Sequence, residues 1–500
     1  MNLPLVCLTV AAPTLEENAA LVQKYNRYID IAELRVDFLT PDEQLYVRRF
    51  PAMVNVPCIL AIRRKIDGGL FESGEISRTM LFGRALAFAD QNPQKNFAYV
   101  DFEDDYHIPS LQDAALAFGV RIIRSCYDIE RPIKNLKARC DEMRKTGYEI
   151  PKIVFMPKTL ADVTHMFQEA TDINGYEHIL CALGPLGQVT RILAHKLNSY
   201  LTYVLPEETV ARDVPVDYID PIALDETYCF RAFNTNTALF ALAGWPLPST
   251  ASAELHNTCY KAADVNVRVI PLRSPAINDI LDFAEQLDIR GVIVDGVHKE
   301  AVVPELIKLV GDAEKYKLSD IIIRTDNGWV GYNTGKSAFQ AALSQFMATK
   351  KLRHRRIAII GADGDAKIVA AVVKEMGGKA CIFNKTIATA KELADKYGFE
   401  YALLGPESAR KFERYSDIII QTLSKEITSR DLSSKDADSL YFYQFCGTEK
   451  VFDFSCDRKN TPLMKRAALA GCTVCNGTEM MRQQTAKQIE IFLRGEHDAE

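Results

Sequence analysis

Between Leu5 and about Leu205, short apolar runs return eight times, each separated from the next by a stretch whose apolar residues follow helical spacing. No other feature restricts the fold as much. The runs are Leu5–Thr9, Ile31–Arg35, Cys58–Ile62, Tyr99–Phe102, Arg121–Ser125, Lys152–Met156, Ile179–Leu183 and Leu201–Val204. Amphipathic segments such as Leu15–Tyr28, Ile133–Thr146 and Ala161–Thr171 lie between them. Strands that alternate with helices pair in parallel, since each helix returns the chain to the same edge. Eight such units predict a closed (β/α)8 barrel with its chemistry at the C-terminal strand ends. A doubly wound open sheet is the competing arrangement, and the count of eight favours closure.

The remaining chain needs further domains, because 500 residues exceed what one barrel uses. Leu205–Asp225 is rich in Pro and Asp and reads as a linker. A second α/β unit is expected from about Thr237 to Thr334. A third, Rossmann-like, starts where the strand Arg355–Ile360 enters a glycine turn at Gly361 and then the helix Ala366–Met376. Its further strands are expected at Lys379–Phe383, Ile418–Gln421 and Lys450–Phe454. A closing helix, Met480–Leu493, should pack back onto the second unit.

Composition narrows the function classes. Apolar residues make up 48% and charged residues 25%, the ordinary globular balance, which excludes a disordered or collagen-like chain. A net charge of −6 argues against a nucleic-acid partner, which would call for a basic face. No apolar run reaches the 18 or more residues of a membrane helix, and Met1–Cys7 has no basic leader, so a cytoplasmic protein without membrane partners is expected. Twelve scattered cysteines fit reduced thiols. The pair Cys472 and Cys475 lacks a second cysteine or histidine pair, so no metal is expected.

Lys152 stands among apolar residues in a predicted barrel strand, where burial disfavours an ammonium and lowers its pKa. A desolvated amine is what Schiff-base chemistry on a ketone requires. A lysine snorkelling at a strand start is the plainer alternative. Other strand ends carry Glu33, Arg35, Arg63, Asp101 and Glu103, and Arg191 follows the predicted loop Gly184–Thr190. Carboxylates and guanidiniums at several strand ends, with a lysine among them, point to an anionic polyol or carboxylate ligand.

The run Ala32–Leu39, Arg63 with Asp67-Gly68-Gly69, Tyr99–Glu103, Pro151–Pro157 and Gly187–Arg191 resemble type I 3-dehydroquinate dehydratase. The second and third units resemble shikimate dehydrogenase, and together they resemble the fused bifunctional enzymes of the shikimate pathway. The resemblance implies a dehydratase barrel over 1–225, a substrate-binding domain over 236–345 plus 478–500, and a Rossmann-like NADP-type domain over 350–477. By it, Lys152 forms the imine, Arg191 clamps the carboxylate, and Glu33, Arg35 and Arg63 hold ring hydroxyls. Tyr127, in Ser125-Cys126-Tyr127-Asp128, stands where the family has its general-base histidine. A phenol is a poorer base than imidazole at neutral pH. Ala211–Val214 stands near the place of the family's Ala-Pro-Gly-Gln lid.

In the second half, Gly244–Asn257 resembles the shikimate-binding loop, with Thr250 and Ser252 at its two hydroxyl positions and His256 as a packing residue. Lys299, in Val294–Glu300, matches the catalytic lysine, and Gln484 a substrate contact. Asp295 and Arg324 replace the family's Thr and Asn, and Gly335 replaces the aspartate that pairs with the lysine. Lys299, Asp295 and Arg324 are therefore expected to form one network. The nucleotide turn Gly361-Ala362-Asp363-Gly364-Asp365 carries two carboxylates, which should cap the following helix and weaken dinucleotide binding. Asn384, Lys385 and Thr386 match the clamp for the adenosine 2′-phosphate. The implied cofactor is NADP and the implied partner a shikimate-type anion. The implied activities are dehydration of 3-dehydroquinate through a lysine Schiff base and NADPH-linked reduction of 3-dehydroshikimate, in aromatic amino-acid biosynthesis. The alternative is a catalytically silent relative that binds a shikimate-like anion as a sensor or scaffold.

Overall fold

The computed structural model describes residues 3–87, 90–206, 219–245, 250–423, 438–456 and 461–494. The chain divides into two compact units: Met1–Thr237 with Leu272–Asp288, and Ala238–Pro271 with Ile289–Glu500.

The first unit is built on eight parallel strands: β1 (Leu5–Val10), β2 (Ile31–Arg35), β3 (Cys58–Ala61), β4 (Tyr99–Glu103), β5 (Arg121–Asp128), β6 (Ile150–Phe155), β7 (Ile179–Ala182) and β8 (Leu201–Val204). Their order is β7-β6-β5-β4-β3-β2-β1-β8, and an isolated parallel bridge between His178 and Ser199 joins the two ends. The predicted eight-stranded parallel barrel is observed, with its two ends joined by that isolated bridge. Its interior follows from the two-residue period of a strand, which places residues i, i+2 and i+4 on one face. Cys7, Ile31, Ile59, Tyr99, Ile123, Ile150, Ile179 and Leu201, one from each strand, pack as an apolar floor. Two residues further along, toward the C-terminal ends, the same faces carry Glu33, Asp101, Ser125, Lys152 and Tyr203. Two further still come Arg35, Arg63, Glu103 and Tyr127.

Several local expectations need correction. Lys152 does not open its strand; it is the third residue of β6. Gly184–Thr190 is not a loop but the start of the helix Gly184–Ile192. Pro185 sits in its first turn, where the missing N–H has no intrahelical partner to lose. Gly187 lets that helix lie against β7, since a Cβ there would fall 2.4 Å from the Ala182 carbonyl. The helix expected over Ile133–Thr146 shortens to Leu136–Met143, because Asn135 adopts a left-handed conformation and the Glu169 carboxylate receives the first N–H groups. Of the predicted linker, 207–218 lies outside the described residues, and with it the lid position Ala211–Val214. The linker's end forms the helical turn Ala223–Thr227, entered through Asp220, which accepts the Ile222 N–H at 2.8 Å.

The second unit holds two six-stranded sheets. The first comprises β9 (Ala238–Gly244), β10 (Val267–Arg273), β11 (Ile289–Val294), β12 (Lys308–Leu309), β13 (Ile321–Thr325) and β14 (Gly328–Tyr332), in the order β10-β9-β11-β13-β14-β12 with β13 antiparallel to both neighbours. The closing helix, Thr478–Arg494, packs on the helices Gly335–Met347 and Thr250–Ala262. The Phe492 ring lies tilted against Phe240 with centres 3.9 Å apart, and Gly291 leaves room for it. The second sheet is wholly parallel: β15 (Arg356–Ile360), β16 (Lys379–Asn384), β17 (Glu400–Leu403), β18 (Ile418–Gln421), β19 (Lys450–Asp453) and β20 (Thr473–Asn476), ordered β17-β16-β15-β18-β19-β20. That is the Rossmann order, in which ligands bind where the strand order reverses, here between β15 and β18. Among the described residues no helix is long and apolar enough to cross a membrane.

Candidate active sites

In the barrel, Lys152 is 2% exposed and faces inward from β6. Its Nζ lies 3.0 Å from Asp101 Oδ2 and 3.2 Å from Glu33 Oε2, and 4.2 Å from the centre of the Tyr203 ring. Asp101 also receives Arg63 at 2.8 Å and the Ser125 hydroxyl at 2.5 Å. Arg63 stacks on the Tyr127 ring with its guanidinium carbon 3.8 Å from the ring centre. This inverts the expected chemistry of the lysine. Burial works against the ammonium, but the Asp101 and Glu33 carboxylates outweigh it and hold Lys152 well above the ordinary lysine value rather than below it. Asp101 is correspondingly held below the carboxylate range: burial opposes its charge, and Lys152 and Arg63 overcome that opposition. Burial pushes the Tyr127 phenol upward, so it keeps its proton at neutral pH.

The remaining predicted groups have other partners. Arg35 makes a bidentate pair with Asp37 at 2.7 and 3.0 Å, and Asp37 also accepts the Leu70 N–H. Arg191, on the helix Gly184–Ile192, is buried and donates to the Ala182 carbonyl at 2.8 Å. The structure therefore joins Lys152 to Arg63 through Asp101 and Glu33 to Lys152 directly, while Asp37, which accepts the Arg63 N–H at 3.4 Å, links Arg35 to Arg63. Tyr203 went unrecognised in the sequence, although its place two residues after Leu201 put it on the inward face. A cavity of about 510 Å³ opens at the opposite end of the strands, lined by Arg121, Arg144, Tyr176 and Glu177, and contains none of these groups.

In the second unit, Lys299 lies in the short helix His298–Ala301 and is 7% exposed. Its nearest partner is Asp365, with Oδ1 at 2.8 Å; Asp295 follows at 3.6 Å. Burial opposes the Lys299 charge, and Asp365 and Asp295 raise its pKa above the ordinary value. The structure corrects one expectation here. Asp365 does not cap its helix: Gly364, at φ +45°, is the N-cap residue, with no side-chain cap bond, and the Asp365 carboxylate turns to Lys299. The expected pairing of Lys299 with Asp295 is present at 3.6 Å, and Asp365 is added to it; Arg324 lies on β13 in register with Trp329.

The neighbouring residue, Glu300, reaches the same turn. It accepts the Gly364 N–H at 3.0 Å and pairs with Lys367 at 2.7 Å. Those are the donors a dinucleotide pyrophosphate would use at a helix N-terminus. Gly361, at φ +110°, brings the turn against β18, where a Cβ would fall 2.3 Å from Thr422 Oγ1. At the end of β16, Asn384 is buried and donates to Thr389 Oγ1 at 2.7 Å, while Lys385 and Thr386 are exposed. The adenosine end of an NADP site thus has accessible donors. At the pyrophosphate end the Glu300 carboxylate takes the Gly364 N–H and Lys367.

Gln484 donates to Asp320 Oδ2 at 2.9 Å. Asp320 and Glu300 went unrecognised in the sequence, since no local pattern marks either. Thr250 opens the helix Thr250–Ala262 and Ser252 lies in its first turn; residues 246–249 and the Thr250 side chain lie outside the described part. His256 is a packing residue, buried and within 3.0 Å of Gln488 Oε1, with burial lowering its pKa to about 4. No group of three or more His, Cys, Asp or Glu side chains suited to a metal occurs among the described residues.

The family model for type I 3-dehydroquinase matches residues 6–215. The chloroplastic bifunctional 3-dehydroquinate dehydratase/shikimate dehydrogenase of Arabidopsis thaliana is 25% identical, with 98% of this chain and 82% of that protein aligned. The shikimate biosynthesis protein AroDE of Chlamydia pneumoniae is 23% identical over 98% of this chain and 95% of its own length. The shikimate dehydrogenase (NADP(+)) of Syntrophobacter fumaroxidans aligns with 51% of this chain at 24% identity, covering 87% of that protein. Residues 6–215 thus match the type I 3-dehydroquinase family model, and across nearly its whole length the chain is similar to the bifunctional 3-dehydroquinate dehydratase/shikimate dehydrogenases.

Proposed function

We propose that the first unit binds a 3-dehydroquinate-type keto acid and joins it to Lys152 as an imine. The observation that carries this reading is the buried contact of Lys152 with Asp101 and Glu33, at 3.0 and 3.2 Å, in the polar layer above the apolar floor. The ammonium must first lose a proton, and Glu33, 3.2 Å away, is placed to accept it and to return it to the departing hydroxyl. The free amine then adds to the ketone carbon, and loss of water leaves the C=N bond. Glu33 is the better candidate for the later removal of a carbon-bound proton, because Asp101 stays engaged by Arg63 and Ser125 and Tyr127 holds its proton. Borohydride reduction in the presence of 3-dehydroquinate, followed by mass spectrometry, should label Lys152. If Lys152 stays unmodified while an active type I dehydratase is labelled in parallel, the reading fails.

For the second unit the homology favours NADPH-linked reduction of 3-dehydroshikimate, with Lys299 and Gln484 facing the substrate and Lys385 and Thr386 the adenosine phosphate. A second reading has its own support: Glu300 on the Gly364 N–H and Asp365 on Lys299 favour a unit that binds a shikimate-type anion without turnover. Calorimetric titration with shikimate and with NADPH, beside steady-state assays, separates the two. Turnover with both ligands supports the dehydrogenase, and shikimate binding without turnover supports the silent relative.

A further inference from the structure

Among the carboxylates near Lys299, Asp320 is the most enclosed, at 2% exposure. It immediately precedes β13, and its neighbour Ser319 donates its N–H to the Lys299 carbonyl at 2.9 Å, which ties the two segments together. Oδ2 accepts the Gly335 N–H at 2.7 Å and Gln484 Nε2 at 2.9 Å. The Thr334 N–H and hydroxyl reach both oxygens at 2.9–3.1 Å. A Cβ at Gly335 would lie 3.2 Å from Asp320 Oδ2 and 3.7 Å from Gln484 Nε2. The carboxylate thus fills the space that a side chain at position 335 would enter, the position whose family aspartate this sequence lacks.

We propose that Asp320 is the positioning residue of the second unit's site, supplying from the start of β13 the carboxylate that Gly335 cannot, and setting Gln484 and Lys299 for a ligand bearing adjacent hydroxyls. The proposal rests on reading Lys299 and Gln484 as ligand-facing groups. Four donors converge on the two Asp320 oxygens, so the carboxylate has no capacity left for a ligand and acts through its neighbours. Because Gln484 donates through Nε2, its Oε1 is left as an acceptor, which selects a hydroxyl donor. The Lys299 ammonium faces Asp365 from the nucleotide turn, Asp295 from its own segment, Asp320 from the segment before β13, and the Cys456 thiol. Asp320 supplies the part of that negative field which stays in place if Asp365 withdraws with its turn. A merely structural cap for the helix Gly335–Met347 would need an acceptor but no charge.

The test uses the full chain and two readouts: competitive acetylation of Lys299 against pH, read by mass spectrometry, and calorimetric titration with shikimate. Asp320→Asn keeps an acceptor for the helix and removes the charge. It should lower the pH at which Lys299 becomes reactive by about one unit and weaken shikimate binding about tenfold. Asp320→Ser combined with Gly335→Asp returns a carboxylate to the same space and should restore both. The backbone of Gly335 is outside the left-handed region, so an aspartate is tolerated there. An unchanged Lys299 profile in Asp320→Asn, or a folded double variant that restores neither property, overturns the proposal. If Asp320→Asn fails to fold, the double variant decides. If the unmodified chain does not bind shikimate, the ligand reading falls, while the acetylation profile still judges Asp320.

Discussion

Lys152 and Asp101 set the first unit's response to pH. The folded-state pKa of Asp101 is depressed, so its contribution to stability is complete above about pH 4 and is lost as pH falls through the folded value. Lys152 is raised, so its contribution is complete below about pH 10 and disappears as pH climbs through its folded value. Asp101→Asn leaves Lys152 and Arg63 with one carboxylate fewer in a buried layer, and should cost about 3–5 kcal/mol at pH 7. Urea unfolding reads this; an unchanged midpoint would show that the cluster tolerates a missing charge. Tyr127→His places an imidazole in the third layer and should raise any dehydratase rate about 10²–10⁴-fold. A flat response would place the deficit elsewhere. His256 reports from the second unit: held neutral down to about pH 4, it should make stability fall as pH drops from about 6.5 to 4, by roughly 3 kcal/mol in all. His256→Gln should flatten that window in pH-dependent unfolding.

At the level of elements, two helix starts carry the informative chemistry. The helix Gly184–Ile192 lies so close to β7 that Gly187→Ala would push a methyl group into the Ala182 carbonyl, with a cost of about 1–3 kcal/mol. A melting temperature equal to that of the unmodified chain would contradict the packing described. The helix Asp365–Glu375 starts with its Gly364 N–H and Lys367 bound to Glu300. Glu300→Gln removes the competing charge while preserving shape, and NADPH or inorganic pyrophosphate should then bind about tenfold more tightly. Equal affinities before and after would mean that the carboxylate is no obstacle. This helix start was only half legible. Asp363 and Asp365 were legible in the turn, but the carboxylate that binds the Gly364 N–H and Lys367 is Glu300, from a segment more than 60 residues earlier.

Across the whole molecule, the two compact units do not follow the order of the chain, since Leu272–Asp288 clusters with the first. In that unit Phe283 packs edge-on against Phe167 with ring centres 5.6 Å apart. A fragment ending at residue 237 lacks that contact and should melt at a lower temperature than the barrel transition of the full chain. Equal melting temperatures would show that the segment adds nothing.

The sequence by itself determined the period of the structure. Eight apolar runs fixed eight strands, and the two-residue repeat fixed which side chains turn inward, so Glu33, Arg63 and Lys152 were legible as members of one end of a barrel. Tyr203 obeyed the same rule and was passed over only because it reads as an apolar strand residue. The glycine turn after β15 likewise marked a Rossmann-type sheet. Only the tertiary structure decided the partners. Lys299 is bound by Asp365, and Gln484 by Asp320, across 66 and 164 residues of chain. It also decided the ionisation of Lys152, which burial alone would have lowered. Side-chain direction is a local property of φ and ψ, written in each short segment. A Coulomb contact depends on distance in space, which register and packing set only when the chain has folded.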